Sequence, residues 1–276
     1  MRIKDAIYYF KLRRFVTNPW EIVRFRKYQR PGQLCELRFM DGRRSFVRGH
    51  SQDLSLFNCI FLDDEYLIAA HRQESWECAV DIGGNAGFLS ILVADIARKV
   101  ICYEPIQVNF RQLQENTRNW PNVETICKAV SNESGTVRIF LPEDPRGSAR
   151  YSQFRDMGDR ISNQCTEVPA ITLDELFAEH NIGRCDLLKI DVEGAEYQIL
   201  YATSDDVLSR IQRIYGEYHN VSPHDPRTRI EAFSEYVRSK GFEVELRPQR
   251  KKVNQGLFFA RKSAPDRLSL GRAYAK

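Results

Sequence analysis

The chain has 276 residues, 42% apolar and 28% charged, which suits one large α/β domain with a short appendage. No apolar run approaches the roughly 18 residues of a bilayer-spanning helix, and no uninterrupted apolar core follows the basic N-terminal residues as in a secretory signal. A cytoplasmic protein is expected. The net charge of +4 hides an asymmetry: residues 1–30 carry +7 and residues 247–276 carry +8, so the middle is acidic. Basic ends predict either solvated termini or peripheral contact with an anionic surface such as the inner membrane face. Seven scattered cysteines contain no C-x-x-C pair, so buried free thiols are expected and a zinc site is not.

Along the chain, Ile3 to Tyr28 predicts one or two short amphipathic helices, interrupted at Asn18-Pro19. Alternating apolar residues on either side of Asp41-Gly42 predict a β-hairpin. Asp53 to Tyr66 reads as a helical cover for the edge of the main domain. From Cys78 strands and helices alternate: strands at Cys78–Val80, Lys99–Glu104, Val123–Cys127, Cys185–Ile190 and Arg213–Tyr218, with helices between them. Gly135–Phe140 reads as an added strand, and Pro142 to Gln164 as a long polar loop. Thr172 with Glu175 forms a capping box. Phe242–Leu246 and Gly256–Ala260 close the sheet as an antiparallel pair. The expected fold is a doubly wound, Rossmann-like α/β sheet with a C-terminal antiparallel strand pair and an N-terminal helix/hairpin extension. The divisions follow: residues 1–75 as extension and cover, 76–262 as the main domain, 263–276 as a basic tail.

The functional signal is Asp81-Ile82-Gly83-Gly84-Asn85-Ala86-Gly87, a glycine turn between a strand and a helix, which is where such a sheet holds a nucleotide-like ligand. It reads D-x-G-x-N-x-G, lacking the G-x-G-x-x-G of dinucleotide sites. Glu104 lies 23 residues after Asp81 at the tip of the next strand, where a carboxylate can accept both ribose hydroxyls. A dinucleotide and S-adenosylmethionine both remain open on these residues.

The run Val80–Gly87 resembles the first motif of the FkbM-type S-adenosylmethionine-dependent methyltransferases. Tyr103-Glu104-Pro105, Asn109-Phe110, Leu113 and Asn116, Lys128–Ser131, and Leu188-Lys189-Ile190-Asp191-Val192-Glu193-Gly194-Ala195-Glu196 continue the resemblance in order. It covers roughly residues 50 to 220, with Gly84 standing where the family usually has alanine or another small residue. The resemblance implies S-adenosylmethionine as methyl donor. Gly83, Asn85 and Gly87 would lie along its methionine part and Asp81 would steady the loop or reach its ammonium. Glu104, assisted by Asn109, would hold the ribose, with Val130 and Ser131 at the adenine.

On the acceptor side, Asp191, Glu193 and Glu196 crowd one strand end and Glu217, His219 and Asn220 the next. A weakly nucleophilic hydroxyl wants a positioned base or a cation. Asp191 and Glu217 with His219 or Asn220 offer magnesium ligands; a metal-free base, Asp191 or His219, is the favoured alternative. Glu196 also fits a first-turn helix acid with no further role. His50, His71, His180 and His224 are expected at the surface. Arg146, Arg150, Arg155 and Arg160, with Tyr151 and Phe154, form either a lid over the acceptor or a solvated loop. The leading reading is an O-methyltransferase acting on a small-molecule or glycan hydroxyl, the resemblance supplying the sugar. No block of the kind that methylates nucleic-acid nitrogens is present. The rivals are a nicotinamide-dependent oxidoreductase and a non-catalytic membrane-surface binding protein.

Overall fold

The apolar run Trp76–Ile82 is buried at six of its seven positions, so it can only be an inner strand covered on both faces. In the computed structural model, which describes residues 3–144, 151–154, 161–220, 225–248 and 255–262, it is the centre of a seven-stranded sheet.

In chain order, helices α1 (Ile3–Leu12) and α2 (Pro19–Tyr28) are followed by the hairpin β1 (Leu34–Arg38) and β2 (Arg44–Arg48). A short helix α3 (Asp53–Phe57) runs into a π-helical turn at Asn58–Leu62 and a single 3-10 turn at Ile68–His71. The alternating unit follows: β3 (Trp76–Ile82), α4 (Phe88–Ala94), β4 (Ala97–Tyr103), α5 (Gln107–Thr117) and β5 (Val123–Ile126). Then come β6 (Ala129–Val130), β7 (Gly135–Pro142), β8 (Ile161–Ile171), α6 (Leu173–Glu179), β9 (Leu187–Ile190), α7 (Glu196–Ala202) and α8 (Asp205–Arg210). The last elements are β10 (Arg213–His219), α9 (Ile230–Ser239), β11 (Phe242–Pro248) and β12 (Gln255–Lys262).

The main sheet has the order β11-β12-β10-β9-β3-β4-β5. All neighbours from β5 to β10 are parallel, and β12 runs antiparallel to both β10 and β11. The expected doubly wound α/β fold with a terminal antiparallel pair is what forms, β12 being the reversed strand. Strand order changes direction between β3 and β9, so a crevice opens at their carboxyl ends.

Two expectations change. Gly135–Phe140 does not extend the main sheet; β7 pairs with β8, which pairs with β6, in a separate three-stranded sheet. The long polar loop is also shorter than read, because its end from Ile161 is the start of the eleven-residue β8. Thr166, Val168 and Ala170 alternate along the second half of β8, whereas the overlapping part, Ile161-Ser162-Asn163-Gln164, is polar but for its first residue and so read as loop. The proposed lid arginines Arg146, Arg150, Arg155 and Arg160 lie outside the described residues, as do the tail 263–276 and His224.

The N-terminal segment shares its apolar interior with the main sheet: Leu12, Ile22, Leu37, Phe57 and Phe61 pack in one cluster with Phe88, Val100 and Trp120. The capping box at Thr172 and Glu175 is present in full. All seven cysteines are free, four of them buried. His71 is buried rather than at the surface, bridging Glu74 and the Tyr215 hydroxyl beneath Trp76. Among the described residues no helix is long and apolar enough to cross a membrane.

Candidate functional site

The crevice is a cleft of about 1040 Å³, including the space open at its mouth, enough for two small molecules together. Its floor is the turn after β3. Gly83 and Gly84 both donate backbone N–H bonds to the Tyr103 carbonyl, and Gly83 (φ 77°), Asn85 (φ 48°) and Gly87 (φ 84°) are left-handed. A Cβ on Gly83 would stand 2.0 Å from the Asp191 carbonyl oxygen, so the loop crosses β9 at a distance only glycine permits. Lys189, buried beneath the loop, donates to the Ile82 and Gly83 carbonyls at 3.1 and 2.7 Å and pairs with Asp81 at 3.2 Å. Burial alone would lower its pKa, but Asp81 and Asp191 outweigh that and raise it. Asp81 also accepts from Ser90 at 2.7 Å. These contacts tie Asp81 to the loop and to the helix that follows it.

Glu104 leaves β4 beside this loop and is 4% exposed. Its two oxygens accept the backbone N–H groups of Asn85 and Ile106, each at 2.9 Å, which fixes the carboxylate's plane. Burial raises its pKa to about 7, against those two hydrogen bonds, Lys189 and the Asn109 amide, all of which lower it. Asn109 is in turn held by Arg48 of β2, whose guanidinium donates to the Asn109 side-chain oxygen at 3.1 Å and pairs with fully buried Asp53 at 2.7 Å. Asn116 ties the same hairpin to the loop by donating to the Ala86 carbonyl and accepting from Phe46 N–H. Val130 lines the cleft next to Ala129. Ser131 does not: its hydroxyl turns to Asn132 at 3.2 Å, because its backbone is committed to the pairing with Ile171. Gly87 also stands off the cleft, closing the turn against Leu113.

Opposite the loop, Asp191, Glu193 and Glu217 face the cleft. Tyr66, buried, donates its hydroxyl to Asp191 at 3.3 Å, and burial followed by the charge of Asp191 pushes its pKa well above the usual phenol range. Glu193 has a left-handed backbone (φ 54°), a strain of the kind that gathers at working sites. His219 lies behind it, with Nδ1 3.1 Å from Glu196 and Nε2 3.5 Å from Glu193 and 3.9 Å from Glu217. Burial would lower the imidazole's pKa, but Glu196 first and then Glu193 and Glu217 raise it well above the ordinary value, so it is held as a cation. Glu193 is itself raised, by burial and by the neighbouring carboxylates, against the pull of His219.

Glu196 has more to do than a first-turn acid. It is fully buried, accepts the backbone N–H of Val192 and Gly194, and is the nearest partner of His219. The suggested magnesium set does not fit. The Asn220 side-chain oxygen is taken up by the Tyr197 hydroxyl and Ile230 N–H, away from Asp191. The carboxylates and imidazole that do converge among the described residues are Asp191, Glu196 and His219, with Glu196 in the place expected of Glu217.

Sequence reasoning missed Tyr66, Leu56, Ile60 and Glu65, all of which line the cleft from the segment read as an edge cover. Left-handed Asp64 and Leu67 on either side of Glu65-Tyr66 turn that segment inward; Asp63-Asp64 is a turn signal, while Leu67 gives none. Tyr151 lines the cleft as well, while Phe154 packs into the main core.

Gly84 has its own explanation: a Cβ there would stand 2.1 Å from the Cys102 sulfur, which occupies the space an alanine would need. Gly84→Ala should therefore destabilise the fold by about 1–3 kcal/mol. Adding Cys102→Ala should recover much of that loss, because the Cys102 Cβ is 3.8 Å away. Denaturant midpoints of the two single variants and the double variant read the coupling; strictly additive losses would remove this account.

Comparison with known proteins agrees with the geometry. The profile of the Methyltransferase FkbM domain matches residues 81–244, more than half of the chain. The 31-O-demethyl-FK506 methyltransferase FkbM of Streptomyces tacrolimicus is 27% identical over 194 residues, 60% of this chain and 74% of that protein. The AMB antimetabolite synthetase AmbE of Pseudomonas aeruginosa is 25% identical over 222 residues, 68% of this chain but only 10% of AmbE. The crystal structure of the methyltransferase FkbM from Methylobacillus flagellatus aligns with 93% of this chain and 59% of that one, at 12% identity and a TM-score of 0.49. The nicotinamide-dependent reading gives way to the family profile's match. The chain belongs to the FkbM-type family of S-adenosylmethionine-dependent methyltransferases.

Proposed function

We infer that the chain is an O-methyltransferase that moves the methyl group of S-adenosylmethionine to a hydroxyl of a small molecule. The observation that carries this reading is the division of one cleft: a glycine loop and an anchored Glu104 at one end, and Asp191 with its carboxylate neighbours at the other. The relative from Streptomyces tacrolimicus is, by its name, a methyltransferase of 31-O-demethyl-FK506, and a hydroxyl of a metabolite or of a sugar is the acceptor class proposed here.

S-adenosylmethionine, bound along the loop, supplies an electrophilic methyl on a sulfonium. Glu104, its carboxylate held by the Asn85 and Ile106 N–H groups, would accept the ribose hydroxyls when the donor is bound. Asp191, whose carboxylate Tyr66 orients, takes the proton of the attacking hydroxyl as the oxygen–carbon bond forms and the carbon–sulfur bond breaks. Glu193 and Glu217 line the same wall as Asp191, and His219 behind them offsets part of their charge. Alignment of the three reacting atoms contributes up to roughly 7–11 kcal/mol in well-oriented cases.

The test is incubation of the chain with labelled S-adenosylmethionine and a panel of hydroxylated acceptors, including sugars. Acceptor-dependent release of S-adenosylhomocysteine with label on oxygen is expected. Transfer to nitrogen or carbon, or no transfer by a chain that binds the donor, would overturn the oxygen assignment.

A further inference from the structure

Helix α1 is built inside out. Its buried face holds Asp5, Tyr8 and Leu12, the aspartate 3% exposed and paired with Lys27 at 2.5 Å. Its solvent face holds Ile3, Ile7 and Phe10, at 81%, 56% and 61% exposure. These three recur at i, i+4 and i+7, so they form one stripe along the helix. The stripe continues onto α2 through ring contacts: Phe10 meets Tyr9 edge-on with centroids 5.5 Å apart, and Tyr9 meets half-exposed Trp20 at a tilt, 4.4 Å away. Lys4, Arg13, Arg14 and Arg24 are exposed on the same two-helix unit. With its acids counted, residues 1–30 still carry +7.

We propose that the exposed face of α1 and α2 docks on the surface of a bilayer containing anionic lipid. An apolar stripe of aliphatic and aromatic side chains among lysines and arginines, with its one exposed acid, Glu21, paired to Arg38, is the pattern of a helix lying in the headgroup boundary. Trp20 and Tyr9 suit that boundary, where an amphipathic ring keeps one edge wet. A second copy of the chain is a poorer occupant, because a two-fold contact through this face would set two strongly basic surfaces against each other. Docking would also touch the acceptor side: α1 holds the segment that walls the cleft, through Tyr8 to Asn58 at 2.9 Å and Lys11 to Asp63 at 3.0 Å.

Flotation of the full chain with phosphatidylcholine vesicles, with and without about a third phosphatidylglycerol, tests this. At least about tenfold more chain should float with the anionic vesicles, and Trp20 emission should move to the blue. The double variant Ile7→Ser/Phe10→Ser, at exposed positions and unchanged in charge, should keep the unfolding midpoint and lose about tenfold in flotation. Absence of flotation would overturn the proposal. Undiminished flotation of the double variant would do so too, assigning any binding to charge elsewhere, the basic C-terminal residues included. A dimer in gel filtration that the double variant splits would overturn it as well, making the stripe a contact between copies.

Discussion

Glu104→Gln should weaken S-adenosylmethionine binding about 100-fold, measured by calorimetry. The carboxylate is expected to accept two ribose hydroxyls, and charge-assisted hydrogen bonds contribute about 1.5–3 kcal/mol each, so losing their charge costs roughly two powers of ten. Glutamine keeps the volume and one acceptor oxygen, which preserves the bond to Asn85 or Ile106 and separates binding from loop collapse. The wild-type affinity should also fall toward tenfold per pH unit below about 7, where burial brings the carboxyl to protonation, and the glutamine variant should be flat there. The sign for stability is opposite. The folded state keeps this proton to a higher pH than the unfolded chain, whose glutamate titrates near 4.3. Between about 4.3 and about 7 Glu104 therefore contributes less and less to ligand-free stability as pH rises. Unchanged affinity in the variant would remove Glu104 from the donor site.

Asp191→Asn should lower kcat by about 10²–10⁴, the range of a lost general base, while donor affinity stays within a few-fold. Tyr66→Phe should reduce kcat by less, since it removes only one 3.3 Å hydrogen bond that orients the carboxylate. Release of S-adenosylhomocysteine under saturating donor, with the acceptor found by screening, reads both. A full rate in Asp191→Asn would move the base to Glu193 or Glu217, the other carboxylates on that wall. His219 is a weaker candidate in either case, because its partners keep it charged.

What could be read from the chain alone was the part fixed by local pattern. Strand-then-glycine-then-helix at Val80–Leu89 needs no distant partner to be recognised, and the 23-residue interval to Glu104 follows from one strand–helix–strand unit. The capping box at Thr172 is equally local. What escaped depends on long-range contact. Tyr66 reaches Asp191 across 125 residues, and Arg48 reaches Asn109 across 61. Glu196 looked like an ordinary helix-start acid, and only the arrival of His219 from β10 shows its second role. Ser131 failed for the converse reason: the motif gave its neighbourhood but not the direction of its hydroxyl.

The aromatic rings of the first segment carry one more consequence. Phe57 meets Phe61 with centroids 4.8 Å apart and Phe88 at 5.7 Å, and Phe39 meets Trp120 at 5.6 Å, so α4 and the end of α5 are seated on residues upstream of β3. The stretch that the family profile matches, 81–244, thus packs against residues that precede it. Cut out at those boundaries it would bare the underside of its own ligand loop, and spliced onto another leader it would inherit a foreign wall.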